Sequence, residues 1–361
     1  MKSRAMVLER PEQMAMREFD LPDINQDDAL LKVEMAGICH TDVGLYHGKV
    51  TYALPLIMGH EIVGRIARIG PLAARRWGVQ EGDRVTVEAM ARCGFCRACV
   101  EGNYKFCKDG FGYGTFTSCD RPPHLWGSYA EYMYLAPGTL LYKVPESMSP
   151  EMATLLTVAI SNGIQWTVLR GGVKLGDAVV IQGVGPIGLA CIAAAREAGA
   201  SVVIATGLGG DAQRLALAKE FGADVTVDVQ ADDVVQRVKD ATGGDLADVV
   251  VDVTGSGDAV RTSLKLVRPM GTVVSAGVTG DKTLTPIPLD TLLYSEIRLQ
   301  GVFTFDTNAV RRAIGLARRD RYPFEKLITH KFPLVEAETA VQTAGRELAD
   351  VSAIKVAIVP V

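Results

Sequence analysis

The strongest constraint on the fold is a run of alternating strands and helices in the second half of the chain. "DAVVIQG" reads as a buried strand, "PIGLACIAAAREAG" as a helix and "SVVIATG" as a second strand. "RLALAKEFGAD" gives another helix, and "VTVDV", "ADVVVDVTGSG", "GTVVSAGV" and "IRLQGVFTF" continue the strands. Strand–helix–strand repetition of this kind closes as a parallel sheet with right-handed crossovers. Before residue 150 the pattern differs. Short alternating runs such as "ALLKVEMAG", "IVGRIARIG" and "DRVTVEAM" are broken by Gly, Pro and Asp, which predicts a β-rich domain. The tail holds a helix-like "DTNAVRRAIGLARR" and ends in an alternating strand, "AIKVAIVPV", expected to return to the first domain. A chain of 361 residues is long for one core, so a β-rich domain over 1–155, a parallel α/β domain over 156–302 and a returning segment over 303–361 are expected.

Between the first strand and the first helix of the α/β domain stand Gly183, Val184, Gly185, Pro186, Ile187 and Gly188. A bare G-x-G-x-x-G is a weak signal, but a strand before it and a helix after it are the context of a dinucleotide fingerprint. Gly183 permits the tight turn, Gly185 lets a pyrophosphate approach the backbone, and Gly188 lets helix and strand pack closely. The helix N-terminus adds free N–H groups and positive dipole. An acidic residue about 20 positions on would bind the ribose 2′-hydroxyl. Thr206 and Gly207 occupy that place, Asp211 is expected to cap the next helix, and Arg214 is either a partner for a 2′-phosphate or a solvated helix charge. NAD and NADP both stay open.

"RCGFCRACVEGNYKFC" sets Cys93, Cys96, Cys99 and Cys107 at gaps of two, two and seven residues. Four thiolates so close satisfy a tetrahedral zinc ion with no open position, which is a structural site; an iron–sulfur cluster is the second reading. Cys191 lies on an apolar helix and reads as core. A net charge of -4 leaves no electrostatic footprint for nucleic acid. No apolar run reaches membrane-spanning length, and the N-terminus lacks the apolar core of a signal peptide, so a cytoplasmic protein without a membrane partner is expected. Seven cysteines there read as thiols or ligands before disulfides.

Taken together, "GICHTD", "GHEIVGRIARIGPLA", "EGDRV", the four-cysteine loop and "GVGPIG", in this order, make the whole chain resemble the zinc-containing medium-chain dehydrogenase/reductase family of alcohol, polyol and threonine dehydrogenases. The resemblance implies a GroES-like β-rich catalytic domain, a Rossmann domain and an active site in the cleft between them. It implies that Cys39 and His60 bind a catalytic zinc, that Asp42 orients the histidine, and that Thr41 takes the alcohol proton. His40 and Lys355 match residues that contact the cofactor pyrophosphate. Zinc would act as a Lewis acid while hydride passes from an alcohol or polyol to NAD or NADP. Two zinc ions per chain, a small alcohol or carbonyl substrate and a homo-oligomer, dimer or tetramer, complete what the resemblance implies.

Two positions depart from the family pattern. The third zinc ligand should fall near Val158, which offers no donor atom. Glu61, beside His60, is the expected substitute, as in some polyol and sugar dehydrogenases; Thr157 and Ser161 are weaker candidates. The histidine that relays the proton in many relatives is replaced by Gly44, leaving His47 either as relay or as an ordinary loop residue. A zinc-free quinone or enoyl reductase of the same superfamily is the alternative enzyme, favoured by Val158 and opposed by Cys39 and His60. A non-catalytic dinucleotide-binding protein is the third reading. The segments "YGTFTSCDRPPHLWGSYAEY" and "GVFTFDTNA" are expected to line the cleft, and Ala89 to leave room in it.

Overall fold

The computed structural model describes residues 1–49, 53–280, 284–348 and 351–360. The chain divides into two compact units, Met1–Thr157 with Phe324–Val361, and Val158–Pro323.

The first unit holds two larger β-sheets and a small pair, Met90–Ala91 with Phe111–Gly112. Lys2–Arg10 pairs antiparallel with Gln13–Asp20 on one side and Leu56–Ile57 on the other. The larger sheet runs in the order Leu141–Lys143, Arg84–Val87, Glu61–Ile69, Ala29–Gly37, Lys355–Val359, Ile328–Pro333, with Tyr132–Leu135 also paired to Ala29–Gly37. Both of its faces are covered: Leu31, Val33, Ile62, Ile66, Val85 and Val87 are buried together on one, and Leu30, Ala36, Val356 and Ile358 belong to a second cluster on the other. The register sets Gly37 opposite Glu61 on one side and opposite Ala357 on the other. Three distant parts of the sequence therefore meet at this end of the sheet.

The second unit is a six-stranded sheet, parallel throughout. In chain order the strands are Ala178–Gln182, Val202–Gly207, Val225–Asp228, Ala247–Asp252, Val267–Ser275 and Arg298–Gly301, and they lie in the sheet as third, second, first, fourth, fifth, sixth. Val180, Ile204, Val227, Val250 and Val273 fill its core. The near-continuous Val and Ile runs belong to strands covered on both faces, as a parallel sheet requires. The strand order reverses between the first and fourth strands, where open α/β sheets bind ligands beyond their carboxyl ends.

Two features differ from expectation. Residues 303–323 belong to the second unit instead of opening the returning segment. The helix Thr307–Ala317 buries Ala309, Val310, Ala313 and Leu316, and the preceding loop is tied down by Gln165 Nε2 to Asp306 Oδ2 (3.3 Å) and Trp166 Nε1 to the Thr304 carbonyl (3.2 Å). The return begins at Phe324, in the short turn Phe324–Leu327 that leads into the strand Ile328–Pro333. Second, Pro150–Arg170 is one helical run of 21 residues with mean hydropathy 1.3, long and apolar enough to span a membrane by length and composition alone. Its apolar window is 89% buried within the fold, which makes it a core helix. Ser149 caps its start by accepting from Met152 N at 3.1 Å, and Pro150 takes the first helical position. Two π-type stretches, Leu156–Ile160 and Gln165–Arg170, widen it.

Candidate functional site

In the first unit the strand Ala29–Gly37 delivers Cys39 to the start of the short helix His40–Tyr46. Asp42 fixes this corner. Its Oδ2 accepts from the Cys39 backbone N–H at 2.8 Å, and its Oδ1 lies 3.2 Å from Nδ1 of His60. Asp42 is fully buried and His60 nearly so. Burial alone would push the His60 pKa down, but the Asp42 carboxylate and the Cys39 sulfur outweigh it and hold the ring well above the ordinary histidine value. With Nδ1 turned to Asp42, Nε2 remains for another partner. Thr41 lies on the same turn, its Oγ1 3.7 Å from Cys39 Sγ, whereas His40 is exposed.

Glu61 carries a carboxylate at 0% exposure. Oε1 accepts from Lys355 Nζ at 2.5 Å, and Oε2 has no hydrogen-bond partner. Gly37 makes the space, since a Cβ there would stand 2.4 Å from Glu61 Oε2. Lys355 is thus buried beside Glu61 because the strand register brings it there, a pairing no local motif signals. Tyr129 is another residue the sequence does not single out. Its ring packs against Gly59 and its hydroxyl is buried without a partner. Burial raises its pKa, and the Asp42, Glu61 and Cys39 charges raise it further. Val158 sits buried in the first widened helical stretch and offers no donor.

At the end of the helix His40–Tyr46, His47 is held at both nitrogens: Nδ1 lies 2.8 Å from Glu12 Oε1 and Nε2 2.6 Å from Glu347 Oε1. A proton leaving through this ring would pass to one of those carboxylates. Gly44 lies within the helix and offers no side chain for such a relay.

The four cysteines converge. Their sulfurs all lie within 4.8 Å of one another, with Cys93 to Cys99 at 3.9 Å and Cys96 to Cys107 at 3.8 Å. A tetrahedron with Zn–S near 2.3 Å has edges of about 3.8 Å, so the donor set fits zinc. Backbone N–H groups of Phe95 and Cys96 overcome the burial cost and bring Cys93 down to about 7. Among the described residues this is the one set of three or more His, Cys, Asp or Glu donors converging so closely; Cys39, His60 and Glu61 do not form another. Their chemistry still suits a metal: a thiol, an imidazole and a carboxylate, with Glu61 Oε2 left orphaned in the interior.

In the second unit the glycine turn has the required shape. Gly183 adopts φ +101°, a Cβ on Gly188 would stand 1.9 Å from the Gly183 carbonyl oxygen, and Gly185 faces open space. The helix Pro186–Glu197 starts immediately after Gly185. Thr206 is buried, its carbonyl accepting from Gly183 N at 2.9 Å. Gly207 approaches the turn so closely that a Cβ would meet Val184 Cγ2 at 2.9 Å. Asp211 makes no side-chain cap to the helix Ala212–Glu220; its Oδ2 accepts instead from Leu208 N at 3.3 Å, and Oδ1 lies 3.9 Å from Arg214 Nε. Asp252, at the end of the fourth strand, is buried with Oδ2 unpartnered, and burial raises its pKa against the two Thr254 donors.

Comparison with known proteins gives this geometry a context. Residues 25–146 match the alcohol dehydrogenase GroES-like domain, and residues 186–319 match the zinc-binding dehydrogenase domain. The chain is 45% identical over 350 residues to "Probable alcohol dehydrogenase adh" of Mycobacterium tuberculosis, covering 95% of each. It is 31% identical to the erythritol/L-threitol dehydrogenase of Mycolicibacterium smegmatis, covering 99% of this chain and 98% of the relative. The alcohol dehydrogenase of Thermotoga maritima superposes with a TM-score of 0.91 at 30% identity, covering 100% of both chains. With a GroES-like unit, a parallel dinucleotide-type sheet and relatives matched over nearly their full length, the chain belongs to the zinc-containing medium-chain dehydrogenase/reductase family.

Proposed function

We propose that this protein is a zinc- and NAD(P)-dependent dehydrogenase that moves a hydride between a small alcohol or polyol and the nicotinamide. The observation that carries the reading is the buried corner formed by Cys39, Asp42, His60 and Glu61, with a carboxylate oxygen that no protein donor satisfies. When bound, zinc supplies a Lewis acid for the substrate oxygen and the nicotinamide supplies the hydride acceptor.

The chain's own residues do the rest. Cys39 and His60 hold the catalytic metal, and Glu61 completes the protein ligands through Oε2 while Lys355 fixes Oε1. Asp42 selects the His60 tautomer and orientation. Thr41 takes the proton of the alcohol, and His47 is the candidate to pass it toward the exposed Glu12. Cys93, Cys96, Cys99 and Cys107 hold a second, structural zinc. Gly183, Gly185, Pro186, Ile187 and Gly188 cradle the pyrophosphate, with the exposed His40 as a further contact; Lys355, expected in the same role, is instead taken up by Glu61. Thr206, Gly207 and Arg214 lie on the adenosine side. Residues 1–155 and the returning tail form the catalytic domain, and the enzyme works in the cytoplasm as a homo-oligomer without nucleic acid or membrane partners.

A panel of secondary alcohols and polyols, followed by nicotinamide absorbance with and without a chelator, tests the activity. Metal analysis should give about two zinc ions per chain. Activity that survives chelation would point to the zinc-free reductase reading. A fully active enzyme with a single zinc would sink the Cys39–His60–Glu61 site.

A further inference from the structure

The second strand of the parallel sheet ends without the acid that usually reads the adenosine ribose. Gly207 stands at that place, and Asp211, four residues on, is turned back to the Leu208 N–H and toward Arg214. The neighbouring strand supplies a carboxylate at the same level. Gly207 is paired in register with Asp228, the last residue of the third strand, and the Val229 N–H donates to the Gly207 carbonyl at 3.0 Å. Neighbouring strands lie about 4.8 Å apart, so an acid moved one strand sideways stays within reach of the same ligand edge.

The local bonds aim this carboxylate at the loop after Gly207. Asp228 Oδ1 accepts from Gln230 N at 3.0 Å, and Gln230 Oε1 accepts from Gly209 N at 3.0 Å. Oδ2 lies toward Gly209, where a Cβ would come within 3.0 Å of it. Any larger residue at 209 would crowd the oxygen. Gly207 in turn touches the glycine-rich turn through Val184, so Asp228 and the phosphate turn flank one stretch of backbone.

Resting on the dinucleotide reading above, we propose that Asp228 binds the adenosine ribose 2′-hydroxyl and selects NAD over NADP. The charges around the loop agree. Arg214 lies in the helix Ala212–Glu220 that follows the second-strand loop, 3.9 Å from Asp211. Asp228 and Asp232 add negative charge, the Asp232 carboxylate accepting from the Asp228 N–H at 3.3 Å. A ribose hydroxyl can donate to Asp228, whereas a 2′-phosphate would meet its charge.

Calorimetric titration of the whole protein with NAD+, NADP+, 5′-AMP and 2′,5′-ADP tests this without catalysis. The wild type should bind NAD+ and 5′-AMP at least about tenfold more tightly than their 2′-phosphorylated partners. Asp228→Asn keeps the acceptor for Gln230 N and should erase most of that preference. Equal or tighter wild-type binding of NADP+ would overturn the assignment, and this holds even if the variant does not fold. An unchanged ratio in a folded Asp228→Asn protein would overturn it as well. So would a selective loss of NADP+ binding in Arg214→Ala, which would give a 2′-phosphate to Arg214. If none of the four ligands binds, the dinucleotide reading fails first, an outcome distinct from binding with the wrong preference.

Discussion

His47 shows how one residue can read differently alone and in place. Between Glu12 and Glu347 its pKa is raised, first by the hydrogen bond to Glu347 and then by that to Glu12, against a smaller cost of burial. A histidine whose folded pKa exceeds its unfolded value adds stability that is fully present below about 6.5 and is lost as pH rises through the folded value. His47→Gln should therefore lower the melting temperature at pH 6, with the gap closing at alkaline pH. A gap independent of pH would mean that the ring contributes by packing alone. The same variant separates the relay role: slower alcohol oxidation at low pH that recovers as pH rises supports it, and an unchanged profile leaves proton release to Thr41. The neighbouring Glu61–Lys355 pair makes a related point. The two residues are 294 positions apart, and only the strand register reveals that the candidate zinc ligand already has a cation on one oxygen.

At the scale of elements, two helices explain why glycine recurs where it does. The helix Ser161–Ile164 packs on Pro186–Glu197, the helix that opens from the glycine turn, and Gly163 lies at the contact. A Cβ there would stand 2.7 Å from the Ala190 backbone carbon, which cannot move aside as a flexible side chain would. In Gly163→Ala this clash should outweigh the helix propensity gain of about 1 kcal/mol and leave a net loss of about 1–3 kcal/mol, read by urea unfolding. NADH affinity should fall with it, because the displaced helix carries the N-terminus proposed to bind the pyrophosphate. Unchanged stability would show that the helices separate without cost. The glycine turn was legible from local sequence because its geometry depends on neighbours within six residues. The widened stretches of Pro150–Arg170 were not, since nothing in an apolar run distinguishes a π-type turn from a regular one.

At the scale of the whole molecule, the two units should respond to different ligands. Hydrogen exchange after strong chelation should accelerate around residues 90–112, where the four cysteines staple an otherwise loop-rich segment, and leave the parallel sheet unchanged. NADH at about 100 times its Kd should instead protect the sheet and the Pro186–Glu197 helix, adding about 2.7 kcal/mol. Uniform changes under both treatments would contradict separate sites. The sequence by itself determined the parallel sheet, the glycine turn and the four-cysteine set, because each is written in short-range spacing and hydrophobic period, whereas Cys39, Thr41 and Asp42 stood out only through the family resemblance. Only the tertiary structure decided that Lys355 meets Glu61, that Asp228 stands beside Gly207, that residues 303–323 stay with the second unit and that the longest apolar helix is core. Each of those depends on strand register or on packing between segments far apart in the chain, and a β-strand's neighbours are chosen by the whole sheet, not by its own residues.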